Sequence, residues 1–339
     1  MEKNNYLKSN LIVIISLLFF FCSSLFAQTE NNRAAWMQKA KWGVMSHYLA
    51  DWKAKESGEE MSVKKWNEMI NNFNVEGLAD QLKSAGAGYF IFTIGQNSGY
   101  YLSPNKTYDE ITGIKPSKCS KRDLISDLAG ALNKRGIKLI VYLPSGAPAG
   151  DKTACETLKW INGPYRNKEF QINWQNIIRE WSERWGKKVA GWWFDGCYWP
   201  SIMYRSCDAP NFRSFADAAR AGNSQSAVAF NPGVVYRSIS LTPYEDYTAG
   251  EVDQPDRISV KRSFNGIIDG AQLHYLSFLG EKWGMGSPRF KVEQVIEWSR
   301  EVQKEGGVIT WDTPIQVNGL YSKEFLEQLN AISKAMNSN

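Results

Sequence analysis

One pattern constrains this chain more than any other. Short apolar runs of strand length recur along it, and segments with helical apolar spacing lie between them. Eight runs qualify: Trp42–Tyr48, Tyr89–Ile94, Leu139–Leu143, Gly191–Phe194, Ala227–Phe230, Tyr247–Gly250, Gln272–Phe278 and Val308–Trp311, with Tyr247–Gly250 the weakest in pattern. Amphipathic helices are expected over Val75–Ala85, Asp123–Lys134, Asn173–Trp185, Phe212–Ala221, Val292–Lys304 and Ser322–Met336. Strands that alternate with helices pair in parallel, because each crossover returns the chain in the same direction. Eight repeats favour a closed α/β fold, a single (β/α)8 TIM-type barrel, over an open sheet. A length of 339 residues suits one such barrel. No linker or low-complexity stretch divides residues 28–339, which read as one barrel domain.

The first residues carry an address rather than a fold. Lys3 and Lys8 precede an apolar run from Leu11 to Phe21, and small Ala27 stands before Gln28. This is the pattern of a signal peptide over residues 1–27, cut after Ala27, and it sends the chain to the periplasm or out of the cell. The run is too short for a stable membrane span. A lipid anchor on Cys22 is the alternative, but bulky Phe19, Phe20 and Phe21 stand where small residues belong. Export places Cys119, Cys155, Cys197 and Cys207 in an oxidising compartment. Three pairings are open to them, and the short loop favours Cys197–Cys207.

Charge and composition narrow the chemistry. Forty basic and 35 acidic residues give a formal charge of +5, and the basic residues are scattered rather than clustered. Nucleic acid is therefore not an expected partner. His47 and His274 are the only histidines, so a three-histidine zinc site is impossible, and cysteine spacing for zinc is absent. Neither metal nor cofactor is expected. Fourteen Trp, 15 Tyr and 16 Phe have two possible uses. They can stack on sugar rings in a cleft, or they can build the core.

A barrel keeps its chemistry at the C-terminal ends of its strands. The polar residues falling there are His47, Gln96 and Asn97, Ser145, Asp195, Asn231, Glu251 and Asp312. Asp195 and Glu251 together supply the two carboxylates that glycoside hydrolysis needs. Asp195 ends the run Gly191-Trp-Trp-Phe-Asp195, and Gly196 then frees the backbone to turn. Glu251 shares its loop with two rival acids, Asp246 and Asp253. Side chains alternate along a strand, so one of Trp192 and Trp193 faces the cleft and the other packs outward.

These residues also carry a resemblance. The succession Trp42-Gly-Val-Met-Ser-His47, Trp193-Phe-Asp-Gly196, Asp246-Tyr-Thr-Ala-Gly-Glu251 and Trp283-Gly284 resembles the α-L-fucosidases of glycoside hydrolase family 29, from about Trp36 to Asp312. The resemblance implies that Asp195 is the nucleophile of a retaining mechanism and that Glu251 is its acid/base. It further implies that His47 binds the sugar. Gln96, Asn97, Trp193 and Trp283 complete the expected substrate contacts, and the expected partner is an oligosaccharide or polysaccharide.

Two departures stand out. The family's His-His-Asp-Gly run is replaced by Gln96-Asn97-Ser98-Gly99, which keeps donors and acceptors but changes their kind. A site built to pair particular hydroxyls discriminates steeply, so the exchange bears on which sugar is cleaved: α-L-fucose or a related one. The chain also ends soon after the last expected helix, leaving no room for the family's C-terminal β-sandwich. A sugar-binding barrel without turnover and a transglycosylase are the alternative functions on the same fold.

Overall fold

Seven of the expected strands form one parallel sheet. They are β1 (Trp42–Ser46), β2 (Tyr89–Thr93), β3 (Lys138–Pro144), β4 (Val189–Asp195), β5 (Ala227–Phe230), β8 (His274–Phe278) and β9 (Val308–Asp312). Two short strands, β6 (Ile267–Ile268) and β7 (Ala271–Gln272), form a separate antiparallel pair. The large sheet runs in the order β5-β4-β3-β2-β1-β9-β8, a curled parallel sheet of (β/α)8-barrel type. The structure is a computed structural model that describes residues 33–258 and 263–337. The proposed signal peptide lies outside the described residues.

Alternation sorts each strand into two faces. Met45, Ile91, Ile140, Tyr142, Trp193, Ala229 and Leu276 pack together inside the sheet's curve. Val44, Phe90, Phe92, Val141, Trp192, Phe194, Phe230 and Trp311 belong to the larger cluster beneath the helices. Trp192 packs at 5.7 Å from Trp185 of the helix Lys168–Trp185, and it stacks on Phe194 at 5.5 Å. The strand parity of the two tryptophans therefore holds, with Trp192 outside and Trp193 inside. Seven tryptophans are fully buried: Trp42, Trp66, Trp174, Trp181, Trp185, Trp192 and Trp311. Most of the aromatic excess builds core.

The helices form where capping and spacing agree. Leu124, Ile125, Leu128, Ala129 and Leu132 give the helix Leu124–Lys134 one apolar face, and the Asp123 side chain accepts from Ser126 N–H at 2.9 Å as its N-cap. The helix expected from Asn173 starts earlier, at Lys168. Its first turn carries Phe170 and Gln171, both buried, so polar Gln171 hides the apolar spacing there.

The expected strand Tyr247–Gly250 is not a regular strand, yet it occupies the sixth place. Asp246 N–H donates to Val228 of β5, while Thr248 N–H donates to Gln272 and Leu276 N–H to the carbonyl of Gly250. The segment thus bridges β5 and β8. Its ladder is interrupted because the Thr248 hydroxyl takes the place of a backbone partner, accepting from His274 N–H at 2.9 Å and donating to His274 C=O at 2.7 Å. Gly250 then turns left-handed at φ 63°, where a Cβ would sit 1.9 Å from the His274 carbonyl oxygen. Only glycine fits that approach.

The expected bridge Cys197–Cys207 is absent; Cys119, Cys155, Cys197 and Cys207 are all free thiols. Cys197 is buried, with its N–H on the Asn231 carbonyl. The turn Pro200–Tyr204 intervenes, and Cys207 is exposed beyond it. Proximity in sequence did not bring the two side chains together. No described helix is long and apolar enough to cross a membrane.

Candidate active site

Strand parity delivers the polar strand ends to one place. Residues that continue the inward series of each strand, Met45 to His47, Tyr142, Trp193 to Asp195, and Leu276, line a single cavity with Gln96, Glu251, Trp52 and Trp283. Its volume is about 130 Å³, roughly four water molecules' worth. A more open cleft of about 790 Å³ runs along Glu56, Lys65, Glu68 and Gln316, but no aromatic wall faces it. The smaller one gathers the polar strand ends.

Asp195 receives three donors. Tyr142 Oη donates to its Oδ2 at 2.5 Å, and Gly196 N–H and Asn231 Nδ2 donate to its Oδ1, both at 2.8 Å. The carboxylate is thus held in place as an acceptor, with the more lightly bonded oxygen being Oδ2. Burial and the charge of Asp195 push the Tyr142 hydroxyl well above its ordinary range. Tyr142 therefore keeps its proton and remains a donor. Its ring lies 5.3 Å from Trp193, nearly parallel, and forms a flat wall beside the carboxylate.

Glu251 shares a partner with Asp195. The same Asn231 Nδ2 donates to Glu251 Oε2 at 2.5 Å. Two oxygens bonded to one nitrogen can be no farther apart than the two bonds laid end to end. The two carboxylates therefore each present an oxygen to the same amide. Burial first, and then the negative charge of Asp195, raise the Glu251 carboxyl to about 7. Two carboxyl groups side by side thus differ in role: one is a fixed acceptor, and the other holds a proton near neutrality.

The rival acids are occupied elsewhere. Asp246 Oδ2 accepts from Arg220 Nη2 at 2.6 Å and from Val228 N–H at 2.9 Å. Asp253 accepts from the Tyr236 hydroxyl. Neither lines the cavity.

His47 faces the cavity and is anchored behind it. Its Nδ1 donates to Asp312 Oδ1 at 3.0 Å, and Asp312 Oδ2 accepts from Gly284 N–H at 2.5 Å. A carboxylate only accepts, so this bond fixes the tautomer and leaves Nε2 for a ligand. The same aspartate pins the Trp283-Gly284 turn, which sets Trp283 6.3 Å from the histidine ring. The other histidine, His274, is wholly buried between Thr248 and Thr310, and burial lowers it to about 4. It stays neutral and serves the core.

The residues replacing the paired histidines divide. Gln96 lines the cavity and donates from Nε2 to Tyr142 Oη at 2.6 Å. It therefore extends a chain Gln96–Tyr142–Asp195. Asn97 is exposed and does not line the cavity; its carbonyl accepts from Gly150 N–H at 2.8 Å. The expected polar wall is therefore His47 with Gln96, without Asn97, because the turn after Gln96 commits Asn97 to the loop.

Sequence reasoning gave no role to Tyr142, Trp52 or the bridging amide of Asn231. Parity could have found Tyr142, the inward residue at the upper end of β3. Nothing short of the fold could have shown that Asn231 spans two carboxylates. Among the described residues, no cluster of three or more metal-ligating side chains gathers.

The solved structure of the endo-fucoidan hydrolase P5AFcnA from glycoside hydrolase family 107 is similar at TM-score 0.69 and 19% identity, covering 91% of this chain and 94% of that one. The endo-fucoidan hydrolase MfFcnA4 gives TM-score 0.69 at 19% identity over 89% of this chain, which spans 53% of that longer protein. Thermotoga maritima alpha-fucosidase in complex with fucose gives TM-score 0.57 at 16% identity, covering 88% and 72%. These likenesses establish the shared fold. No curated protein sequence matches the chain. The family model for alpha-L-fucosidase matches residues 20–339, and the chain accordingly belongs to the alpha-L-fucosidase family of glycoside hydrolases.

Proposed function

We propose that the protein is an exported, retaining glycoside hydrolase that removes a terminal α-L-fucosyl unit, or a close relative of it, from a glycan. Asp195 is the nucleophile in this reading and Glu251 the acid/base. The observation that carries it is the single Asn231 amide holding both carboxylates, one of them raised to about 7. A pair this close supports a covalent glycosyl-enzyme, for which the carboxyl groups stand roughly 5–5.5 Å apart.

The steps follow from the contacts. Asp195 Oδ2 attacks the anomeric carbon while Glu251 gives its proton to the departing glycosidic oxygen. Glu251, now ionised, takes a proton from water, which attacks the same carbon from the opposite face and releases the sugar. Asn231 keeps both groups in register, and Tyr142 and Gln96 steady the nucleophile. His47 Nε2 and Trp283 hold the ring. A cavity of about 130 Å³ lies well below the roughly 300–1,000 Å³ of clefts for drug-sized ligands. It suits one terminal ring, with the rest of the glycan outside.

An aryl α-L-fucoside set, with β-fucoside and other α-glycoside controls, tests the reading. Proton NMR of the first product formed should show the α-anomer. First release of the β-anomer, or hydrolysis confined to other sugars, would overturn it.

Location belongs to the same proposal. Lys3, Lys8 and the Leu11–Phe21 run support export with cleavage after Ala27. Intact mass of the native protein should match a chain beginning at Gln28. Retention of residues 1–27 would refute export by this route, and an added lipid mass would move the anchor to Cys22.

A further inference from the structure

A second cavity lies on the loops that leave the catalytic strands. The segments following β4 and β5, which begin at Asp195 and Asn231, come together around about 320 Å³ of space. Arg205 and Arg213 both line it, beside Asn211 and a surface made by Leu241, Pro243 and Tyr244. No carboxylate lines this space. Arginines elsewhere divide, and Arg257 and Arg300 bond to neutral groups. Arg122, Arg135, Arg166, Arg184 and Arg220 each pair with an acidic side chain. Arg205 instead donates to the Leu241 carbonyl at 2.5 Å, and Arg213 has no protein partner among the described residues. Asp208, close to Arg205 in sequence, is taken up by Arg166 and Lys168, and Asp217, one helical turn beyond Arg213, forms no ion pair with it among the described residues. Two arginines without an ion pair among the described residues therefore line one pocket, and Tyr244 offers its ring at 38% exposure.

We propose that this pocket binds an anionic substituent of the glycan, a sulfate ester or a uronate carboxylate, on a unit outside the catalytic cavity. The inference rests on the proposed glycosidase reading for its placement, since the same two loops carry the catalytic groups at their origins. The chemistry fits. Guanidinium groups bind tetrahedral and planar oxyanions through paired N–H donors, and a sugar ring can lie on Tyr244 and Pro243 while its charge sits between the arginines.

Arg213→Glu provides the test, because Arg213 is exposed and makes no bond that the fold needs. Four substrates are compared: a neutral aryl α-L-fucoside, a neutral α-L-fucosyl oligosaccharide, its O-sulfated form, and one carrying a uronate. The aryl fucoside and the neutral oligosaccharide should be cleaved as by the wild type. On the charged substrates kcat/KM should fall about ten- to a hundredfold, mostly through KM, and the difference should shrink as salt is raised. The charged substrate that responds names the natural group. Equal losses on neutral and charged substrates, or no loss on either charged one, would overturn the proposal. Calorimetry with the sulfated and uronate oligosaccharides separates the two readings. A wild type that binds one of them more tightly than Arg213→Glu, yet splits no α-L-fucoside, leaves the pocket standing and removes the hydrolase.

Discussion

Asp195→Ala should lose at least about 10⁴-fold in kcat on every glycoside, because removing a nucleophile abolishes the covalent step outright. The loss should not depend on the leaving group, since no leaving group can restore a missing attack. Asp195→Asn should fail equally, and its melting temperature should fall somewhat, because the amide has one acceptor oxygen where the carboxylate uses two, one for Tyr142 and one for Gly196 and Asn231. Added azide can enter the space opened by Asp195→Ala and attack directly, so the rescued product should be the β-fucosyl azide, with inverted configuration. Activity of Asp195→Ala close to wild type would remove the assignment and the mechanism with it.

Glu251→Gln should separate substrates by their leaving groups. On natural glycosides, where the departing oxygen needs a proton, kcat should fall about 10²–10⁴-fold. On aryl fucosides with acidic phenols the loss should be far smaller. In Glu251→Ala, azide should intercept the glycosyl-enzyme and yield the α-azide, the opposite anomer from that of Asp195→Ala. The pH dependence carries a sign. Glu251 acts as an acid while protonated, and burial beside Asp195 raises it to about 7. The wild-type kcat/KM should hold below that pH and decline as pH rises through it. Glu251→Gln should lack this alkaline limb. A profile with the limb intact in Glu251→Gln would assign it to another group, and wild-type rates on natural glycosides would end the acid/base role of Glu251.

The replacement of the family's paired histidines is resolved by contact rather than by composition. Gln96 does reach the cavity, but it faces Tyr142 and through it Asp195. Asn97 does not reach it. The donor that the resemblance leads one to expect on the sugar instead bonds, in this chain, to the hydroxyl that donates to Asp195.

Much of the fold was legible because its signal is local and repeated. Period-two alternation in β1 to β5 and in β8 and β9, set against helical spacing between them, specifies parallel strands and their faces. The same alternation carries Met45 on to His47 and Trp193 on to Asp195, so these residues could be placed at the catalytic end from sequence alone. The sixth position was the weakest in pattern for a physical reason. There a threonine hydroxyl and a left-handed glycine replace regular backbone pairing.

What the sequence could not decide depends on residues far apart meeting at particular distances. Glu251 was one of three acids on a loop until the fold paired Asp246 with Arg220 and Asp253 with Tyr236. Its raised proton affinity comes from burial and from an aspartate 56 positions away in sequence, and no local pattern encodes that. Most tryptophans went to the core, a division that composition cannot make. The cysteines stayed apart because the turn Pro200–Tyr204 intervenes between Cys197 and Cys207. Periodicity determined the barrel and which side chains face inward; only the tertiary structure brought Asn231 between two carboxylates, because hydrogen-bond geometry is fixed by packing across strands and not by order along the chain.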